Sequence, residues 1–262
     1  MGSFGIMSFL SREFSATANS PNDLELFDNE AIFSGSSLLA QDIRVPEIPA
    51  GAVVRQVNCT ITSDRTDFDD IVARARELER GENSPDRVQF RRLIIGTDEY
   101  TADFQIGQYY PSVSEMVRRR VAAGNESYGR LGVECGSPSI VRNQVAHVGG
   151  QLSDDSLMTY SFCNINQGWN PAGVFNVLQK GAANAQRDTG NDTNIQVWTP
   201  LMGGPINRDW DFILVQVGAD YEGLTERQDI FREGYRPMPA SGGGRTCSRL
   251  GLWRTVTIFA NN

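Results

Sequence analysis

Four cysteines, one histidine, several carboxylate clusters and a set of strand-borne aromatics are the residues whose types could do chemistry in this sequence. Cys59, Cys135, Cys163 and Cys247 include no pair at C-x2–4-C spacing, which speaks against a tetrathiolate zinc site and leaves buried thiols or disulfides. An even count suits a disulfide framework, and bridged cysteines would imply a periplasmic or extracellular location, free ones a cytoplasmic location. His147 is the only histidine, so any histidine-dependent hydrolysis would have to use it, yet no G-x-S-x-G elbow accompanies it. Asp67/Asp69/Asp70, Asp98/Glu99 and Asp154/Asp155 lack the spaced ladder of a calcium loop and read as solvated turns and helix starts. Gly203-Gly204-Pro205 and Gly242-Gly243-Gly244-Arg245 fit neither phosphate-binding pattern and read as loops, while Arg118-Arg119-Arg120 reads as a solvated helix face. Asp103 and Asp211 each stand directly before a Phe; they read as residues capping a hairpin, with a paired polar site as the alternative. Tyr109, Tyr160, Phe162, Asn164, Trp198 and Asp211 are the candidate ligand contacts, because strand alternation must send some of the aromatics to one shared face. Filled completely, that face is a core, the favoured reading; filled incompletely, it lines a small apolar pocket.

Composition limits the partners. The chain has 262 residues, 40% of them hydrophobic, enough for a sizeable core in one large or two ordinary domains. Acidic residues outnumber basic ones, 32 to 24, and the formal charge of −8 repels phosphate, so nucleic acid is not an expected partner. No stretch approaches the ~20 apolar residues needed to cross a bilayer, and Met1–Leu10 is too short and too rich in Gly and Ser for a signal core, so no membrane insertion is expected.

The elements that must position these residues recur in one order. Residues 1–50 are poor in periodic pattern and read as an extension or arm. Over 51–150, Val53–Ile61 is a β-branched strand, and Phe68, Ile71, Val72, Ala75 and Leu78 form a helical stripe behind Asp67, with Gly81 to end it. Arg87–Ile95 and Ala102–Tyr110 read as a hairpin. A helix follows Ser112 and Glu115, which have capping-box spacing, and ends at Gly124; Ile140–Val148 is the fourth strand. Over 151–262 the order repeats: strand Met158–Ile165, helix Pro171–Gln186, strands Asn194–Pro200 and Asp209–Val217, helix Tyr221–Arg232 and strand Leu252–Phe259. Cys59 aligns with Cys163, Asp103-Phe104 with Asp211-Phe212, Gly124 with Gly234, and Cys135 with Cys247, with Arg142 and Arg254 each seven residues beyond their cysteine. Ordered landmarks in two segments of matching element order predict an internal duplication, each copy with a sheet face to bury against the other.

This element order, with the Cys-x-Ile strands at Cys59-Thr60-Ile61 and Cys163-Asn164-Ile165 and the Val197–Pro200 and Trp210–Phe212 hairpin, resembles the dimeric α/β-barrel superfamily in its tandem, single-chain form. The resemblance implies an α+β fold: two ferredoxin-like βαββαβ repeats packed sheet to sheet as a pseudo-dimeric barrel. It also implies that the first and fourth strands of each repeat are antiparallel neighbours, which would bring Cys59 to Cys135 and Cys163 to Cys247. Members include haem enzymes, cofactor-independent monooxygenases and proteins of no assigned activity. The resembled haem families carry the axial histidine in the second repeat, whereas His147 ends the first, so no cofactor is expected. Without a catalytic set, the expectation is a binding or interaction protein that takes a small apolar ligand or a partner in the barrel interior or at its rim. The alternatives are a cofactor-independent oxygenase-like enzyme and a structural subunit that forms a homo-oligomer through its N-terminal arm.

Overall fold

Two kinds of pattern build the chain, period-2 strands with β-branched and aromatic residues and amphipathic helices with polar caps. The computed structural model describes residues 49–261 apart from 97–99, 124–127, 205–207 and 237–241. Residues 1–48 of the expected extension, and Asp98, Glu99, Gly124 and Pro205, lie outside the described residues. Strand β1 (Ala52–Ile61) is followed by α1 (Phe68–Arg76), β2 (Arg87–Ile95), β3 (Phe104–Tyr110), α2 (Val113–Ala123), the short β4 (Val133–Cys135) and β5 (Ser139–His147). Then come β6 (Asp155–Ile165), α3 (Pro171–Thr189), β7 (Asn194–Met202), β8 (Phe212–Val217), α4 (Tyr221–Arg232) and β9 (Arg245–Ala260).

All strand pairs are antiparallel. In the first half β1 lies between β5 and β3, with β2 beyond β3; in the second half β6 lies between β9 and β8, with β7 beyond β8. The expectation was of two faces covering each other through side chains. The edges are in fact also hydrogen-bonded, β2 to β9 and β5 to β7, so eight strands close into a barrel with no open edge. The fold is α+β, a closed barrel with four helices.

Alternation then assigns the faces. Val57, Cys59, Val88, Phe90, Phe104, Ile106, Val256 and Ile258 point outward and pack with Phe68, Ile71, Val72 and Ala75 of α1. Ile195, Val197, Phe212 and Leu214 pack outward with Val174, Phe175, Leu178 and Ala182 of α3. The intervening residues, among them Val54, Val141, Met158, Tyr160, Trp198, Ile213, Val215, Val217 and Trp253, form a separate cluster inside the barrel.

Caps fix the helices. Asp67 accepts from Asp70 N at 2.9 Å while Asp70 accepts from Asp67 N at 3.1 Å, a reciprocal box at the start of α1. Asn170 caps α3 ahead of Pro171, and Gly190 ends it at φ 77°, three residues later than expected. α1 stops at Arg76, before Gly81. The segment before β5, expected as loop, contains β4 because Cys135 lies opposite Cys59 on β1. Likewise β9 begins at Arg245, well before Leu252, because Cys247 lies opposite Cys163. Both pairs are disulfide-bonded.

Candidate functional site

Two walls of different chemistry face each other inside the barrel. The inward positions of the first half carry Gln56 and Asn58 on β1, Gln89 and Arg91 on β2, Gln105 and Tyr109 on β3, and Asn143 on β5. Those of the second half carry Met158, Tyr160, Trp198, Ile213, Val215, Val217 and Trp253, packed with Val54 and Val141 of the first half, with the buried polar Gln196 and Thr255 among them.

Arg91 is the centre of the polar wall. It is fully buried, with none of its surface exposed. Its Nη1 donates to Gln105 Oε1 at 2.8 Å and its Nη2 to the Tyr109 hydroxyl at 2.7 Å. The guanidinium lies 4.7 Å from the Trp198 ring centroid, a cation–π contact out of reach of water. Gly107, between Gln105 and Tyr109, makes the pose possible: a Cβ there would collide with the guanidinium. The network extends through neutral groups. Tyr109 donates to Gln89 Oε1 at 2.7 Å, Gln105 Nε2 donates to Asn58 Oδ1 at 3.2 Å, and the Tyr160 hydroxyl donates to Gln105 Oε1 at 3.4 Å. Burial raises the pKa of Tyr160 far above that of an ordinary phenol, and Tyr100, which donates to Asn58 Oδ1, is raised for the same reason; both are neutral donors. Among the described residues, no carboxylate is paired with Arg91. A buried cation with only neutral partners is costly to hold, and such a group in an enclosed polar cluster marks a candidate site.

The candidates from the sequence fall in two places. Tyr109, Tyr160 and Trp198 converge on Arg91. Phe162 also faces inward but stacks on Trp210, 5.2 Å between centroids, away from the guanidinium's contacts. Asn164 and Asp211 are exposed at the ends of their strands, where Asn164 Nδ2 donates to Asp209 O at 2.8 Å and Asp211 Oδ2 accepts from Ile165 N at 2.8 Å. Asp103 makes the same contact with Ile61 N at 2.7 Å, so both aspartates tie a hairpin to the end of the neighbouring strand.

His147 faces the helix layer. Burial first, then the positive charge of Arg227 on α4, lowers its pKa, and its hydrogen bond to Gln186 on α3 works weakly against both. A haem ligated by histidine inside the barrel does not fit these residues. Arg227 is a second buried cation, on the outer side of β8, donating to Gln216 Oε1 at 2.7 Å, and burial pushes its pKa down to about 10. A cavity of about 780 Å³ also lies outside the barrel, between the ends of α1 and α2, on an apolar floor of Leu78, Val88, Phe90 and Ile106. It is remote from the inward-facing cluster. No helix among the described residues is long and apolar enough to cross a membrane.

No protein-family model matches the sequence, and no curated protein does. Solved structures of similar course include a chlorite dismutase from Candidatus Nitrospira defluvii, 12% identical, covering 78% of this chain and 91% of that one at a TM-score of 0.45. A second variant of that enzyme is 11% identical over 80% of this chain and 93% of its own, at 0.49. A protein provisionally named a monooxygenase, from Lactobacillus acidophilus, is 8% identical over 80% of this chain and 95% of its own, at 0.47. The expectation of a non-catalytic binding or interaction protein is corrected here: the structures this chain is similar to carry the names of enzymes. Tyr160 and Trp198 lie in a buried apolar cluster with Met158 and Trp253, as the favoured reading of a filled core expected of the shared face, and beside them stands a cationic hydrogen-bonded cluster that the sequence reading did not include.

Proposed function

We propose that this chain is an enzyme of the dimeric α/β-barrel kind, built from two tandem ferredoxin-like repeats, and that it oxygenates its substrate inside the barrel without a metal or organic cofactor. The observation that carries the reading is Arg91, a fully buried positive charge held by Gln105 and Tyr109 with no carboxylate partner among the described residues. A preorganised charge in a dry site stabilises negative charge that develops on a bound molecule, with no solvent to reorganise. The useful anion is a phenolate or enolate, since such a species can give an electron to dioxygen directly. Recombination forms a carbon–oxygen bond. Loss of water then leaves a carbonyl: one oxygen atom stays, the other leaves as water, and all four electrons come from the substrate carbon. Tyr160 and Tyr109, neutral donors at the same cluster, orient the oxygen substituent, and Trp198 supports the guanidinium from behind.

Oxygen uptake by the purified chain, measured against a panel of electron-rich phenols and activated aromatic methylenes, tests this. Uptake matched one to one by carbonyl product is expected, with a fall of about 100-fold or more in Arg91→Met, the size found when one transition-state donor is removed. Absence of uptake across the panel, or a wild-type rate in the variant, would overturn the reading.

A further inference from the structure

Four aromatic rings run in contact from the buried guanidinium toward one end of the barrel. Trp198 on β7, against which Arg91 lies, is 5.2 Å from Tyr160 on β6, ring centroid to ring centroid. Tyr160 is 5.2 Å from Trp253 on β9, and Trp253 is 4.6 Å from Tyr100, which precedes β3. The first three are buried, none with more than 5% of its surface exposed, whereas Tyr100 is partly open to solvent. Their polar atoms differ in what they can release. Trp253 Nε1 is buried with no hydrogen-bond partner among the described residues, and Trp198 Nε1 donates to the amide oxygen of Gln196 at 3.0 Å. An indole that loses an electron becomes acidic at this nitrogen, and neither indole has a base there to take the proton. Each therefore stays a radical cation, which is a stronger oxidant than the deprotonated radical and passes its electron deficit on. Tyr160 donates to Gln105 Oε1, again not a base. Tyr100 differs: its hydroxyl bonds Asn58 Oδ1 at 3.4 Å at a site that reaches solvent, so its proton can leave on oxidation. Charge adds a direction. The Arg91 cation against Trp198 disfavours an electron deficit on that ring, while at Tyr100 the field of Arg91 is opposed by that of Asp103.

We infer that these four rings carry a one-electron oxidising equivalent out of the barrel interior to Tyr100. The oxidant is an organic peroxyl radical formed in the interior beside Trp198. It takes an electron from Trp198 and a proton from solvent and becomes a hydroperoxide. Trp198 regains an electron from Trp253 through Tyr160, Trp253 regains one from Tyr100, and the Tyr100 hydroxyl gives up its proton to solvent. The net change is one electron and one proton moved from Tyr100 to the peroxyl radical: a phenolic O–H bond breaks and a hydroperoxide O–H bond forms. A thiol or enediol in solution returns the electron and proton to Tyr100. The chain thus keeps oxidising damage away from the Arg91 cluster. This activity goes beyond the oxygenase reading, since any radical generated among the inner rings is drained by the same route.

The test creates the electron deficit by light and needs no substrate. A laser pulse ionises the indoles of the full chain, nitrous oxide and tert-butanol remove the ejected electron and the hydroxyl radical it yields, and transient absorption follows indolyl and phenoxyl radicals separately. In the wild type the indolyl signal is expected to decay into a phenoxyl signal at a rate independent of protein concentration. Tyr100→Phe, which keeps a ring against Trp253 at a partly exposed site, should lose most of the phenoxyl signal and prolong the indolyl one. Trp253→Phe should do the same by interrupting the chain, and near-ultraviolet circular dichroism checks that packing survives in both. Tyr221→Phe, on α4 outside the barrel, should behave as wild type. No phenoxyl signal in the wild type, or an undiminished one in Tyr100→Phe, would overturn the assignment. Failure here leaves the oxygenase reading standing, and failure of oxygen uptake leaves the ring chain standing.

Discussion

The two halves of the barrel are alike where they meet the helices and unlike where they meet each other. On the outer side, Cys59 with Cys135 and Cys163 with Cys247 bridge the same pair of strands, and Asp103 and Asp211 hold the same backbone amide two residues beyond the cysteine. Inside, counting from those cysteines, Gln56 and Asn58 stand where Tyr160 and Phe162 stand. Counting from the Asp-Phe pairs, Gln105 and Tyr109 stand where Ile213 and Val217 stand. The outer features secure the fold in both halves. The inner faces differ in emphasis: the aromatic bulk of the inner cluster, Tyr160, Trp198 and Trp253, comes from the second half, and the buried charge, Arg91, from the first, although Val54 and Val141 of the first half are apolar and Gln196 and Thr255 of the second are buried and polar.

The strongest way to break the likeness of the outer sides is to remove the disulfides one at a time. They close segments of similar separation, 76 and 84 residues, so each Cys→Ser pair should cost about 4.5 kcal/mol in the loop-entropy picture. Denaturant titration checks this; a much larger loss in one half would show that the two frames are unequal. The inner walls should respond in opposite ways. Trp198→Ala, at a site with no exposed surface, should cost about 3–5 kcal/mol, the usual price of emptying a buried aromatic position. Gln56→Met, across the barrel, should leave stability within about 1 kcal/mol of wild type, because its Nε2 has no protein acceptor to lose. A large loss there would make the polar wall structural.

How much of this was legible follows from the same contrast. Strand and helix order and the Asp-Phe hairpins could be read because alternation and caps are local signals, whereas the cysteine pairs followed only from the resemblance, which made the first and fourth strands of each repeat neighbours. Tyr109, Tyr160 and Trp198 were legible as inward aromatics. Arg91 was not, since Arg87-Val88-Gln89-Phe90-Arg91-Arg92 looks like any strand with one apolar and one solvated face. In a closed barrel both faces are covered, so the polar set is buried too: Arg91 has no exposed surface, while its neighbour Arg92 is exposed. The signal available was the recurrence of Gln on that set, at Gln56, Gln89 and Gln105, more than a solvent-facing row of charged residues would show.

The smallest expected effect concerns the helix side of the second half. The pKa of His147 is held below its ordinary 6.5 in the folded chain, so the unfolded chain takes up the proton first as pH falls. The stabilisation from neutral His147 is complete above that value and is lost as pH drops through 6.5 toward the folded-state value. Thermal midpoints at pH 8 and pH 5 should therefore differ more in wild type than in His147→Gln, and equal differences would remove the histidine from the effect.

The most direct measurement is oxygen uptake and thermal midpoint taken together on Arg91→Met. A charge kept for chemistry rather than for folding should be dispensable for stability, since replacing a buried uncompensated cation by an apolar side chain of similar length removes a desolvation cost. The expected result is loss of activity with a midpoint near or above that of wild type. Retained activity, or a collapse of the fold, would contradict the assignment of the barrel interior as the active site.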